Sequence, residues 1–290
     1  MPLVTIFTPV YNRAGTIRNL YNSLREQKNK DFEWIIVDDG STDCTPQILE
    51  QIANENDSFP IIYKKQSNQG KHIAINLGVS LAKGKLFFIV DSDDVLTDDA
   101  VNKIIDWAID LPEQGFAGMV FLKASKENGT VWGSTFKGKS KDFTSLERYK
   151  NGVTGDKAEI YYTDVLKKFP FPCFEQERFV TEALVWNRIA ASGLKMRWIN
   201  EIVYLSNYLE DGLTKKIDNI LFDNYFGYTQ YVKELIHYPQ TSFIEKFKAI
   251  GMYAVRSKRK GACIQSIKRN ISASSIIIIC SYLCAKFLRK

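Results

Sequence analysis

The run Leu86-Phe87-Phe88-Ile89-Val90-Asp91-Ser92-Asp93-Asp94 decides the architecture of this chain. Five consecutive apolar residues, aromatic and β-branched among them, predict a strand buried on both faces. Such strands belong to parallel sheets covered by helices. The abrupt change to four polar residues, three of them carboxylates, marks the carboxyl end of the strand, where open α/β sheets bind their ligands. The pattern extends in both directions. Val4–Val10, Phe32–Asp38, Pro60–Lys65, Lys85–Asp91 and Phe116–Ala124 are predicted strands, and helical patterns lie between them near 15–28, 43–55, 71–83 and 97–110. Ser41-Thr42-Asp43 and Thr97-Asp98-Asp99 supply the polar, acidic starts that helices prefer. The fold class that follows is α/β, a mostly parallel sheet flanked by helices.

Beyond this region the pattern changes. Residues 126–160 are rich in Gly, Lys and Ser and predict loops with short antiparallel strands. A helix is predicted from Thr181 to Ala191, then strands near 195–199 and 201–208, and residues 217–290 read as helical. The expected organisation is a domain over 1–215, divided into 1–125 and 126–215, followed by a helical, basic extension over 216–290. At 290 residues and 45% apolar content the chain can bury a full core, which excludes disordered and disulfide-scaffold classes. The five cysteines are scattered, odd in number and without zinc-type spacing, as expected of a reduced, cytoplasmic chain. The amino-terminal residues read as a strand rather than a secretory signal.

Charge is divided unevenly. Lys246 to Lys290 holds eleven Lys/Arg and no acid, which leaves the first 245 residues at minus five of the overall +6. Within the basic stretch, residues 270–285 carry no charge and include Ile276-Ile277-Ile278-Ile279. Sixteen residues with four serines are short for a membrane span. An interfacial helix held on anionic lipid by its basic flanks fits better, each Lys/Arg adding about 1 kcal/mol. A helix packed on the globule is the alternative. The tail is the sole basis for nucleic-acid binding, and none is expected.

Three polar clusters fall at predicted strand ends: Thr8-Pro9-Val10-Tyr11-Asn12-Arg13, Asp38-Asp39-Gly40-Ser41-Thr42-Asp43, and Asp91-Ser92-Asp93-Asp94. In a parallel sheet all three open onto one edge. An extended Asp91-Ser92-Asp93 points its two carboxylates to the same side, because the strand period is two. Carboxylates held so close repel unless a cation or a proton lies between them, and a divalent ion with hard oxygen ligands suits the pair. Asp94 and Asp98 read more simply as turn or capping residues. Asp38-Asp39-Gly40-Ser41 reads equally well as a tight turn and cap. Asn68-Gln69-Gly70-Lys71 is either a surface turn or, with Lys71 at a helix start, a place for a phosphate.

Taken together, Thr8-Pro9-Val10-Tyr11-Asn12, Val37-Asp38-Asp39-Gly40-Ser41-Thr42-Asp43, Asn68-Gln69-Gly70 with Ala74 and Asn76, and Asp91-Ser92-Asp93-Asp94 resemble family 2 glycosyltransferases over roughly residues 2–120. The resemblance implies a GT-A fold, a nucleotide-sugar donor that is UDP-linked in many members, and a Mn²⁺ or Mg²⁺ ion. It implies that Pro9, Tyr11, Asn12 and Arg13 hold the nucleoside with Asp39 on the base. Lys71, Asp91 and Ser92 would bind the rest of the donor, and Asp93 the metal. Inverting members carry a general base in a Glu-Asp pair that opens a helix. In Phe174-Glu175-Gln176-Glu177-Arg178-Phe179-Val180-Thr181-Glu182, Glu182 falls on the aspartate of that pair and Thr181 on the glutamate. Glu182 is therefore the expected base, Glu177 its reserve, and a plain capping glutamate the alternative. A carboxylate in a first helical turn is held charged by the helix dipole, ready to accept a proton.

Gly155-Asp156-Lys157-Ala158-Glu159 resembles a segment of bacterial surface-polysaccharide members, so Asp156, with Glu177, is expected at the acceptor pocket. The acceptor would be a saccharide or lipid-linked, and the protein cytoplasmic with a peripheral contact on the cytoplasmic face of the membrane. The rival readings are a haloacid-dehalogenase-type phosphatase and a non-catalytic nucleotide-sugar-binding protein. Asp91-Ser92-Asp93-Asp94-Val95-Leu96 matches the phosphatase nucleophile loop, but there it follows the first strand and here the fourth. The non-catalytic reading calls for broken carboxylates, and these are intact.

Overall fold

The computed structural model describes the backbone of residues 2–56, 58–207 and 213–287, and all of their side chains but those of 213–216. The first half alternates as the sequence predicts: β1 (Val4–Val10), α1 (Ile17–Arg25), β2 (Phe32–Asp38), α2 (Thr45–Glu55), β3 (Ile61–Lys65), α3 (Lys71–Leu81) and β4 (Leu86–Ile89). These are followed by β5 (Val95–Leu96), α4 (Ala100–Ile109), β6 (Phe116–Ser125), β7 (Ser140–Phe143), β8 (Lys157–Tyr162), α5 (Thr163–Lys168), α6 (Ala183–Ala191) and β9 (Lys195–Ser206). The carboxyl-terminal part is α7 (Leu213–Asp223), α8 (Tyr225–Leu235), α9 (Phe243–Arg259), α10 (Ile264–Ile271) and α11 (Ser275–Phe287).

One sheet runs β3-β2-β1-β4-β8-β6-β9-β5, with β7 pairing β9. Strands β1 to β4 are mutually parallel, β8 runs against β4 and β6, and β9 runs parallel to β6. Strand alternation loads both faces. Ile6, Trp34, Ile36, Leu86 and Phe88 pack with α1, α2 and α4 on one side. Phe7, Ile35, Val37 and Phe87 pack with α3 and α6 on the other. The spacing of Ile17, Leu20, Tyr21 and Leu24 explains why α1 lies on the sheet, since these four share one helical face and are fully buried. A third apolar cluster joins α8 to α11 around Tyr228, Tyr253, Ile267 and Ile278.

The two strands predicted near 195–199 and 201–208 are one strand, β9, and Tyr208 lies outside the described residues. The expected gap falls at Asn200. Instead, Asn200 donates to the carbonyls of Phe136 and Gly138, Glu201 accepts from Trp107 Nε1, and register shifts against β6 absorb the irregularity. Helix α5 and strand β5, at six and two residues, are too short to carry a readable period and were not expected. All five cysteines are free and exposed. Among the described residues no single helix is long and apolar enough to cross a membrane. The pair α10 and α11, bent by 108°, passes only as a pair, by length and composition.

Candidate active site

The sheet order reverses between β1 and β4, which is where an open α/β sheet leaves a crevice at its carboxyl ends. A cavity of about 740 Å³ lies there. It brings together predicted residues from segments far apart in sequence: Pro9, Tyr11 and Arg13 after β1, Asp39 after β2, and Lys71 at the start of α3. Asp91, Ser92 and Asp93 after β4, Asp156 before β8 and Glu182 before α6 complete the set. Two predicted residues do not line it, Asn12 and Glu177.

Asn12 has a left-handed backbone, with φ of 53°. Its N–H donates to Ser41 Oγ at 2.9 Å and its Oδ1 accepts from the Thr42 N–H at 2.9 Å, so it pins the loop after β2 to the end of β1. Asp39 holds a second loop. Its carboxylate accepts from Gln66 Nε2, Gln69 N–H and Gly70 N–H, each at 2.8 Å. A carboxylate has about four acceptor sites, so one remains for a ligand. Gly70 allows the loop to turn into α3 at φ of +94°, with its Cα against the chain before α6: a Cβ there would sit 1.9 Å from the Arg178 carbonyl oxygen. Ala74 is fully buried in the core, and Asn76 exchanges two hydrogen bonds with the Phe171 backbone. These two residues of the motif position α3 rather than line the cleft.

Lys71 is the electrostatic centre. Its Nζ lies 2.6 Å from Asp91 Oδ1 and 2.8 Å from Glu182 Oε1. Burial alone would lower the Lys71 ammonium, but the charges of Asp91 and then Glu182 outweigh it and raise its pKa. Burial also opposes the charge on Asp91, but Lys71, with Lys123 and Arg13 adding to it, holds that carboxyl below its ordinary value. The next residue, His72, is buried with neither ring nitrogen bonded, and burial lowers its pKa to about 4, so α3 presents a single cation here.

Asp94 has a different task. Tyr204 Oη donates to Asp94 Oδ2 at 2.8 Å and accepts the Asp91 N–H at 2.9 Å, fixing the turn after β4 against β9. Burial, and then the charge of Asp91, push the Asp94 carboxyl up to about 7. Asp93 makes no hydrogen bond or ion pair among the described residues and faces the cleft. No group of three or more His, Cys, Asp or Glu among the described residues converges to hold a metal by itself. The fit is instead to a hard divalent ion that takes one carboxylate and completes its shell with a ligand's phosphates.

The far wall carries groups that sequence reasoning missed: Lys123 from β6, Glu159 and Lys157 from β8, and Arg148, Arg178 and Trp186. Lys123 lies 4.0 Å from the Tyr204 ring centroid. Burial pushes the Glu159 carboxyl up, against the pull of Lys123 and Arg148. Lys157 spends its ammonium on the carbonyls of Trp132, Thr154 and Asp156, and burial followed by Arg148 lowers its pKa to about 8. The signal was present in part, since Lys123 is a lone charge inside β6 and Glu159 stands between the buried Ala158 and Ile160 of β8.

Glu177 lies elsewhere. Its two oxygens accept from the Phe226 and Gly227 N–H groups at 2.6 and 2.7 Å, and the residue is 9% exposed. It caps the start of α8, where the helix dipole favours a carboxylate.

The strand-end loops and carboxylates of this cleft, though not Arg178, Glu182 or Trp186, lie within a match to the family model described as Glycosyl transferase family 2, over residues 5–168. The chain belongs to glycosyl transferase family 2. Its relatives include the putative glycosyltransferase EpsH of Bacillus subtilis, 37% identical over 109 residues, or 38% of this chain and 31% of that protein. The GalNAc(5)-diNAcBac-PP-undecaprenol beta-1,3-glucosyltransferase of Campylobacter jejuni is 24% identical over 240 residues, covering 81% of this chain and 74% of that one. The stretch shared with EpsH thus spans about a third of that relative. Among solved structures, S. aureus TarS 1-349 in complex with UDP-GlcNAc superposes with a TM-score of 0.61 at 22% identity, over 89% of this chain and 73% of that one. The mannosyltransferase PcManGT from Pyrobaculum calidifontis, in complex with GDP-Man and Mn²⁺, gives a TM-score of 0.59 at 15% identity, over 100% of this chain and 88% of that one. The chain shares their GT-A-type fold.

Proposed function

We propose that this glycosyltransferase moves a sugar from a nucleoside-diphosphate sugar, most simply a UDP-sugar, to a saccharide or lipid-linked acceptor, with inversion at the anomeric carbon. The observation that carries the reading is the convergence in one cleft of Asp39, Lys71, Asp91, Asp93 and Glu182, drawn from five separate segments. Pro9, Tyr11 and Arg13 border the nucleoside with Asp39, whose remaining acceptor site meets the base. Asp91 and Ser92 face ribose or sugar. Asp93 would hold a Mn²⁺ or Mg²⁺ ion together with the donor phosphates. Such an ion neutralises charge on the leaving diphosphate.

Glu182 is the base. Its carboxylate takes the proton of the acceptor hydroxyl, the hydroxyl oxygen bonds to the anomeric carbon, and the bond from that carbon to the phosphate oxygen breaks with its electron pair on the nucleoside diphosphate. Asp156 and Glu159, on the far wall, border the acceptor. Two of the relatives and neighbours support the donor and acceptor classes: TarS was solved with UDP-GlcNAc, and the Campylobacter jejuni enzyme is named for a PP-undecaprenol saccharide.

A peripheral membrane contact fits the same reading. Helix α11 buries Ile278 and Ser281 against α9, where Gly251 permits close approach. It leaves Ile276, Ile279, Leu283 and Phe287 exposed in a stripe at helical spacing. The stripe lies beside Lys286 in a segment without acidic residues, the character of a helix that rests on anionic lipid.

The test of the donor site is a thermal-shift series with UDP, GDP, ADP and CDP, each with and without Mn²⁺. A ligand that binds only the folded state raises the melting temperature. A shift with one nucleotide that grows with Mn²⁺ supports the proposal. No shift with any of the four, in a sample that melts cooperatively, refutes the donor site.

A further inference from the structure

Lys71 joins the two halves of the proposed reaction. One ammonium bridges a donor-side carboxylate, Asp91, at 2.6 Å and the proposed base, Glu182, at 2.8 Å. It stands on the first residue of α3, an eleven-residue helix whose amino end also favours an anion. A carboxylate that accepts from an ammonium has one oxygen occupied, so the pairing with Lys71 takes Glu182 Oε1 away from an acceptor hydroxyl. A diphosphate seated beside Asp91 and Asp93 carries more negative charge than a carboxylate and competes for the same Nζ.

We infer that Lys71 is a donor-released latch on Glu182: the arriving diphosphate draws the ammonium away from the glutamate, and the base becomes competent only once the donor is seated. This deepens the reading of Glu182 as base and rests on it. Lys71 is a positioning residue in this scheme, acting on the proton transfer through Glu182. The other groups around the glutamate do not duplicate it. Glu159 and Tyr161, from β8, interact with Glu182 as like-charged or acidic groups, and Lys123, from β6, acts on Asp91 and Glu159. Lys71 is the one cation bonded to Glu182 among the described residues. Coupling follows from linkage: if the diphosphate must displace Glu182 from Lys71, then Glu182 weakens donor binding and the donor frees Glu182 to the same extent.

A double-mutant cycle on nucleotide binding tests this. UDP affinity, with GDP as a second probe, is measured by calorimetry at fixed Mn²⁺ for the parent, Glu182→Gln, Lys71→Met and the double variant. Removing the glutamate charge removes the competitor, so Glu182→Gln should bind UDP roughly three- to tenfold more tightly than the parent. That gain should vanish in the Lys71→Met background, which separates the latch from a general loss of negative charge in the cleft. Lys71→Gln carries the cycle if the methionine variant melts early. Equal effects of Glu182→Gln in both backgrounds would make Lys71 a static bridge between α3 and α6 and overturn the latch. Transfer by Glu182→Gln is read separately: its retention overturns the base assignment, and a flat cycle with transfer lost overturns the latch alone. If neither nucleotide binds the parent, the donor reading and the latch fall together.

Discussion

Substituting Glu177 and Glu182 by glutamine, one at a time, separates a structural carboxylate from the proposed base within six residues of chain. In Glu177→Gln the amide keeps one acceptor oxygen but turns its NH₂ toward the second of two N–H groups now bonded at 2.6 and 2.7 Å. A buried donor is left without a partner, which costs about 1–3 kcal/mol. The negative charge at the start of α8 is lost as well, for about 1 kcal/mol in a partly buried setting. The expected loss is about 2–4 kcal/mol, or a melting temperature lower by roughly 3–7 °C in a chain of this size. Amide hydrogen exchange in Tyr225–Leu235 should accelerate with it, since the cap holds that helix. Transfer at 25 °C, read as nucleoside diphosphate released, should stay within a few-fold of the parent. Glu182→Gln should behave in the opposite way. Its side chain is 34% exposed and Lys71 keeps Asp91, so the stability change should stay within about 1 kcal/mol. Transfer should fall by about 10²–10⁴, the usual contribution of a general base. A Glu177→Gln variant that melts normally yet transfers nothing, or a fully active Glu182→Gln, would refute this assignment.

Gly70→Ala should cost more than its size suggests. The new Cβ meets the Arg178 carbonyl oxygen at 1.9 Å and adopts a φ of +94°, so α3 and the chain before α6 must separate; a melting temperature and UDP-induced shift like the parent's would contradict it. Asp94 gives the pH dependence. Its carboxyl is raised from 3.8 to about 7, so the native state binds a proton that the unfolded chain has lost, and stability should fall as pH rises from about 4 to 7. In metal-free urea titrations Asp94→Asn should flatten that fall and exceed the parent by a few kcal/mol at most at pH 8; an unchanged slope would count against the raised value. For the tail, Ile276→Asp with Leu283→Asp should leave stability nearly unchanged, because both are exposed, while abolishing co-sedimentation with phosphatidylserine vesicles at low salt. Equal recovery of parent and variant in the vesicle pellet would remove the stripe from the membrane reading.

The amino-terminal half of the fold was legible because its signals are local. Strands β1, β2 and β4 are apolar runs that end in polar residues, and each boundary falls within two residues of the sequence reading. The parallel arrangement follows from those runs and the helices between them, and it places the three polar clusters on one edge without any knowledge of coordinates. The same holds for Asp91, Asp93 and Lys71 as cleft residues.

Tertiary structure decided what each polar side chain does once it is there. Asn12, Ala74 and Asn76 belong to the recognisable motifs but serve the backbone, through the Ser41 and Thr42 contacts, the core, and the Phe171 backbone respectively. Glu177 and Glu182 have the same chemistry and lie in the same segment. Yet α8, some 50 residues further on, claims the first as its cap, and α3, more than 100 residues earlier, offers the second its lysine. Sequence spacing carries periodicity and burial, which depend on neighbours along the chain. It does not carry hydrogen-bond partners, which depend on which distant elements pack together, and so the roles of Lys123, Glu159 and the shared ammonium of Lys71 appear only when the sheet has closed around them.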